Sequence, residues 1–295
     1  MLRRAILVVL AVLAVAGFVL GVSRPWYRTK ELPGNKRQRL LHVAAASDLR
    51  FVVDELASRF STGHPEITVR VSYGSSGTLF AQLVERAPFD LFLSADVQYP
   101  EQLVERGLAH RDTLFVYAVG RLVLWVRRDS KLDPEKLGMD LLLDPSVRRV
   151  AIANPRHAPY GRLAESALRA AGLYEQLAGK LVLGENVSQA AQYVQSGAAD
   201  AGLISHSLAL SPAMQGNGKF WVVPEELAPG LVQGGVVLVS AKEPEAARAL
   251  RDFILSAEGR AVLEKYGFQT AFSSNQPGAE AHNDSPSAHT RDRLP

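Results

Sequence analysis

The chain has 295 residues, 33 Lys and Arg against 30 Asp and Glu, a formal net charge of +3, 47% hydrophobic residues and no cysteine. This length supports one or two domains with a full core, and the composition excludes a wholly disordered chain. The lack of cysteine excludes disulfides, thiolate catalysis, cysteine-ligated zinc and a cysteine-borne lipid anchor, and no basic run with interleaved aromatics marks a nucleic-acid partner.

Arg3 and Arg4 precede an unbroken apolar run from Ala5 to Val22, the layout of a secretory signal. The run is long for a cleaved signal and short for a membrane span, so residues 1–23 read as a signal peptide or N-terminal anchor, with a small-x-small site at Gly21-Val22-Ser23. Residues 24–39 are basic and polar with Pro25 and Pro33, and read as a linker. From Ser273 to Pro295 the chain is rich in Ser, Asn, Pro, Gly and His, the composition of a disordered tail.

Between these ends, short apolar runs alternate with helical patterns. "LLHVAAAS" reads as a buried strand, and "DLRFVVDELASRF" sets Leu49, Val52, Val53, Leu56 and Phe60 at helical spacing. "ITVRVSY" alternates as a strand does, and "TLFAQLVER" is helical again. "FDLFLSA" predicts a strand, and "YPEQLVERG" a helix with Gly107 at its end. A second set opens with the strands "RLVLWVRR" and "RRVAIANP" and a helix over 159–171. "LVLG", a helix over 188–196 and "AGLISHS" follow. The Gly-rich apolar run "GLVQGGVVLVS" and the helices "EAARALRDFILS" and "EGRAVLEKYG" complete the pattern. This rhythm predicts an α/β fold of two lobes, each a mostly parallel sheet flanked by helices.

In such folds ligands bind beyond the carboxyl ends of strands, where loops enter helices. Several of those loops share small residues and hydroxyls: "AAAS" ending at Ser47, "YGSSG" with Ser75 and Ser76, "NPRHAPYG" around Tyr160, "GENVSQA" around Val187 and Ser188, and "GLISHS" at Ser205. Convergent hydroxyls and backbone N–H groups suit a fully ionised oxyanion. Each loop also has a plain reading. Ser47 or Asp48 can cap a helix, Gly74 to Gly77 can be a turn, and Tyr160 and Val187 can be packing residues, with Pro159 starting a helix. A serine hydrolase would need a G-x-S-x-G elbow, for which Gly74 to Gly77 is one residue short, and the seven histidines show no metal-binding spacing.

The ordered set "AAASDL", "SYGSSGTLFAQL" about thirty residues on, "APFDLFLSAD", "NPRHAPYG" and a terminal "KYGFQ" resembles the periplasmic molybdate-binding proteins of ABC importers, from about Leu40 to Thr270. The resemblance implies a type II periplasmic-binding-protein fold, with lobe I formed by 40–118 plus 235–272, lobe II by 119–234, and an oxyanion in the cleft. It implies no catalysis, no cofactor, a monomer in the periplasm, and delivery of molybdate and tungstate to a membrane permease; sulfate or phosphate is the alternative cargo. By position, Ser47 and Ser76 would give hydroxyls, and Tyr160 and Val187 backbone N–H groups. Ser205 falls where better-known members carry a tyrosine in a "GIVY"-like strand end. That leaves a modest contact from Ser205, a water in the gap, or the Tyr160 hydroxyl reaching across from the opposite lobe. Asp48, next to Ser47, is expected to turn away from the cleft.

Overall fold

Alternation along the first strands sets the layering. In the computed structural model, which describes residues 38–270, Val43 and Ala45 bury on one side of the first sheet, and Ala44 belongs to a separate cluster on the other. The expected signal or anchor (1–23), nearly all of the linker (24–39) and the tail (273–295) lie outside the described residues; Arg39 already begins a strand.

The chain opens with β1 (Arg39–Ala46), α1 (Arg50–Gly63), β2 (Ile67–Gly74), α2 (Ser76–Val84), β3 (Leu91–Ser94), α3 (Gln98–Glu105) and β4 (Phe115–Gly120). β5 (Leu122–Arg127), α4 (Pro134–Leu137), β6 (Val150–Ala153), α5 (Pro159–Ala170), α6 (Tyr174–Leu177) and β7 (Leu181–Gly184) follow. Then come α7 (Val187–Ser196), β8 (Ala201–Ser205), α8 (His206–Ala209) and β9 (Gly218–Val222), before β10 (Leu231–Val237), α9 (Pro244–Leu255) and α10 (Ala257–Lys265). Gly107, with φ of 68°, follows α3 as its sequence position predicts.

Two five-stranded sheets result, ordered β2-β1-β3-β10-β4 and β7-β6-β8-β5-β9. Each is mixed: four strands run one way, as the expected mostly parallel sheet requires, and one is reversed. In the first, β10 runs antiparallel to both β3 and β4; in the second, β5 runs antiparallel to both β8 and β9. The reversed strand in each sheet is the first to arrive from the other lobe, so it enters from the cleft side against the run of its neighbours. The chain passes between sheets at Arg121 and again between Val222 and Leu231. The expected boundaries at 118/119 and 234/235 therefore fall inside β4 and β10, which both pair wholly within the first sheet. Arg121 ties the two crossings together through Glu225 at 2.9 Å.

Lobe I packs α1, α9 and α10 over one face of its sheet, where the spaced apolar residues Val52, Val53, Leu56 and Phe60 are all buried. Its other face carries α2 and α3 on Ala44, Phe92 and Val236. In lobe II, α5 and α7 cover β6 and β8. This leaves the starts of α1, α2, α5 and α7 facing one another across the gap between the sheets.

Candidate functional site: a recess between the lobes

A small recess lies where those helix starts converge, lined by Ser47, Ser76, Ala158, Tyr160 and Val187, with Asp48 the one charged residue among its walls. No Lys or Arg lines it. Helix starts present free N–H groups and the positive end of the helix dipole, so a recess at four of them, with no cation in its walls, favours an anion.

β1 ends in three alanines and delivers Ser47 to a 3-10 turn, Ser47–Leu49, that leads into α1. Neither that turn nor α1 has a side-chain cap, so the capping reading of Ser47 does not apply. Its Oγ accepts the Ser188 N–H at 3.4 Å, and its carbonyl accepts the Ser188 hydroxyl at 2.8 Å. In the Gly-Ser-Ser-Gly turn it is Ser75 that caps, accepting the Thr78 N–H at 3.2 Å. The next hydroxyl is thereby left for other use: Ser76 Oγ accepts the Ala95 N–H at 3.0 Å. Ser47 and Ser76 are both buried, and neither hydroxyl donates to a protein acceptor among the described residues.

Lobe II supplies backbone. α5 starts with Pro159 and has no capping side chain, and the Tyr160 N–H meets no protein acceptor among the described residues. α7 is capped by Asn186, whose side chain accepts from the Gln189 N–H and leaves the Val187 N–H unused. Ser47, Ser76, Tyr160 and Val187 are thus brought to one recess.

Ser205 is not. It is fully buried at the start of α8, where its Oγ accepts the Leu208 N–H at 3.4 Å and contacts Ser207 Oγ at 3.0 Å. A serine that ends a strand and begins a helix is taken by capping, and its short side chain cannot also reach the cleft. The Tyr160 hydroxyl is no substitute, because it points to the crossing strands and meets the Gln233 amide at 3.3 Å.

Asp48 turns its carboxyl the same way. Oδ2 accepts from Gln233 Nε2 at 2.7 Å, the carbonyl accepts from Ser207 Oγ at 2.8 Å, and Oδ1 has no hydrogen-bond partner. Gln233 reaches it because β10 is bulged there, its register against β4 shifting between Gln233 and Gly234. Burial pushes the Asp48 carboxyl up to about 6, with the Gln233 hydrogen bond pulling against it. Burial and then the Asp48 charge push the Tyr160 and Tyr117 hydroxyls well above their usual range. The roles of Gln233 and Ser188 are new from the structure. A lone polar residue inside the apolar run "GLVQGGVV" was the one visible hint of the first.

The profile of the family described as bacterial extracellular solute-binding protein matches residues 41–269. The molybdate-binding protein ModA of Rhodobacter capsulatus is 35% identical over 230 residues, spanning 77% of this chain and 87% of that protein. ModA of Azotobacter vinelandii is 34% identical over 230 residues, spanning 77% and 89% respectively. The solved structure of the Azotobacter vinelandii periplasmic molybdate-binding protein superposes with a TM-score of 0.74 at 30% identity, covering 79% of this chain and all of that one.

Proposed function

Since the chain belongs to the bacterial extracellular solute-binding protein family and is a homologue of the ModA molybdate-binding proteins, we propose that it captures molybdate in the periplasm and hands it to the permease of an ABC importer. It works as a monomer, without a cofactor and without catalysis. The observation that carries the reading is the pair of buried hydroxyls, Ser47 and Ser76, which keep their protons for a ligand while accepting from Ser188 and Ala95. With the Tyr160 and Val187 N–H groups they make a set of pure donors from both lobes, as a fully ionised oxyanion requires. Neutral donors also permit release once the lobes part.

Tungstate belongs to the same reading. The two metallates share charge and nearly share size, so donors fixed for one fit the other. Sulfate is smaller and leaves buried donors unmatched, each costing about 1–3 kcal/mol. Calorimetric titration with molybdate, tungstate, sulfate and phosphate tests this directly. Tight binding of both metallates is expected, and sulfate binding within tenfold of molybdate refutes it.

One observation favours a hydrolytic reading. Ser75 Oγ lies 2.9 Å from His157 Nδ1, and His157 Nε2 lies 3.6 Å from Glu185. Ser75, however, is the capping side chain of α2 and also bonds Thr78 Oγ1 at 2.7 Å, so its oxygen is committed to the turn. An acyl-ester turnover assay is expected to be blank.

A further inference from the structure

One rim of the cleft joins the lobes directly, through side chains other than the anion donors. The His157 carbonyl accepts the Gly77 N–H at 2.9 Å, and the His157 ring meets Ser75 Oγ at 2.9 Å. Beside them Arg162 donates to Tyr99 Oη at 3.0 Å and to Asp96 at 2.8 Å, and its guanidinium lies 5.6 Å from the centre of the Tyr99 ring. Ser75, Gly77, Asp96 and Tyr99 belong to lobe I, and His157 and Arg162 to lobe II.

Gly77 explains itself only across this gap. A Cβ there would stand 2.5 Å from the His157 carbonyl oxygen, 3.0 Å from the His157 Cα and 2.9 Å from Tyr99 Oη. The Tyr99 hydroxyl is the end of a side chain and can give way; the His157 atoms are backbone of the opposite lobe and cannot. Gly77 sits in the first turn of α2 and is not among the residues with positive φ. For lobe I alone, alanine would be the better helix former. The need for glycine therefore arises from the closed cleft and not from the fold of the lobe that carries it.

We propose that Gly77 and His157, backed by Arg162 with Asp96 and Tyr99, form a latch between the lobes that sets how firmly the closed cleft holds its anion. The turn preceding α2 then serves two partners at once: Ser76 faces the anion, while Ser75 and Gly77 seat lobe II. Apparent affinity is the intrinsic affinity scaled by the fraction of closed molecules, so weakening the latch lowers affinity with every donor in place. The inference rests on the anion-capture reading above.

The test compares the wild-type protein with Gly77→Ala and Arg162→Ala by calorimetry with molybdate, by small-angle scattering with and without molybdate, and by circular dichroism. Gly77→Ala is expected to keep the wild-type spectrum, to bind about tenfold or more weakly, and to remain wider than the wild type at saturating molybdate. Arg162→Ala, which removes a half-exposed ion pair, is expected to bind about three- to fivefold more weakly, with a smaller difference at high salt. Gly77→Ala binding within twofold of the wild type and compacting as the wild type does overturns the latch. Should that variant fail to fold, Arg162→Ala with unchanged affinity overturns it instead. Should the wild type bind no oxyanion, the proposed function fails by itself; the latch is then judged by scattering, and a Gly77→Ala chain no wider than the wild type overturns it.

Discussion

Replacing Asp48 by asparagine isolates the cost of a charge buried between the lobes. Asp48 is 1% exposed, its Oδ1 is unpartnered, and its Oδ2 accepts from the Gln233 amide. The side chains facing it are Gln233 from β10, Tyr117 from β4 and Tyr160 from α5; none is a cation. Burial raises its pKa from 3.8 to about 6. A carboxyl raised in the folded state leaves stability undiminished only below 3.8, where it is protonated in folded and unfolded chains alike. That stability is lost as pH climbs towards 6, and above 6 the folded chain carries the full penalty. At ~1.4 kcal/mol for each tenfold change in proton affinity, a rise from 3.8 to about 6 corresponds to about 3 kcal/mol. Asparagine keeps an acceptor for Gln233 and carries no charge. At pH 7.5 the variant is expected to be more stable by about 2–3 kcal/mol, raising the thermal midpoint on the order of 5–10 °C. At pH 4 the two midpoints should nearly converge. Thermal unfolding of the ligand-free proteins by circular dichroism from pH 4 to 8 supplies the comparison, and groups common to both cancel in the difference. A difference that does not change with pH, or a variant less stable at pH 7.5, refutes the reasoning.

Ser47→Ala and Ser76→Ala should each weaken molybdate binding roughly ten- to a hundredfold, the worth of a hydrogen bond to a charged partner, while the free protein stays folded with a midpoint lowered only by the loss of one accepted N–H bond. Calorimetry beside a melt reads both; a lower midpoint with unchanged affinity would make these hydroxyls structural. Ser205→Ala should do the reverse. Loss of the α8 cap costs about 1 kcal/mol of stability, with affinity within about twofold of wild type, and a large loss of affinity would return Ser205 to the site. Tyr160→Phe should leave affinity close to wild type, since the hydroxyl meets Gln233 and only the backbone N–H faces the recess; a tenfold loss in a titration would contradict that placement.

The strands and helices that carry strong periodicity were legible because burial alone decides them: Val52, Val53, Leu56 and Phe60 bury as their spacing requires. β9 was not read from the sequence because Gly218–Val222 is half-buried throughout, an edge strand paired only to β5 and without alternation to betray it. β4 was not read as a strand, and the expected lobe boundary at 118/119 fell inside it. The one reversed strand in each sheet was not legible, because the reversal of β5 and β10 follows from where the chain re-enters each sheet, which no local window contains. At the site, composition pointed to loops that line the recess but could not divide Ser75 from Ser76. The division came from capping geometry, which gives one hydroxyl to Thr78 and leaves the other. Ser205 misled for the same reason, since a strand end that turns straight into a helix spends its hydroxyl there. The partner of Asp48 lies 185 residues away and depends on a bulge, so the expectation that Asp48 turns from the cleft carried no hint of what it turns toward.

Capture and release make opposite demands on the same closed cleft, and residues outside the donor set pull it in both directions. The rim contacts of His157 and Arg162 favour closure whether or not an anion is present. Asp48 pulls the other way. Part of its burial comes from Tyr160 and Ser207 of lobe II, so parting the lobes gives water access to a carboxyl that is poorly satisfied when they meet. An anion in the recess adds its donor contacts to the closed side, and its charge repels the carboxylate behind Ser47. Opposed contributions of this kind would keep open and closed states close in free energy, the condition under which a ligand's differential contacts can shift the population between them. A cleft closed by a larger apolar face, or lined by an arginine paired to the anion, would bind more tightly and surrender its cargo more slowly.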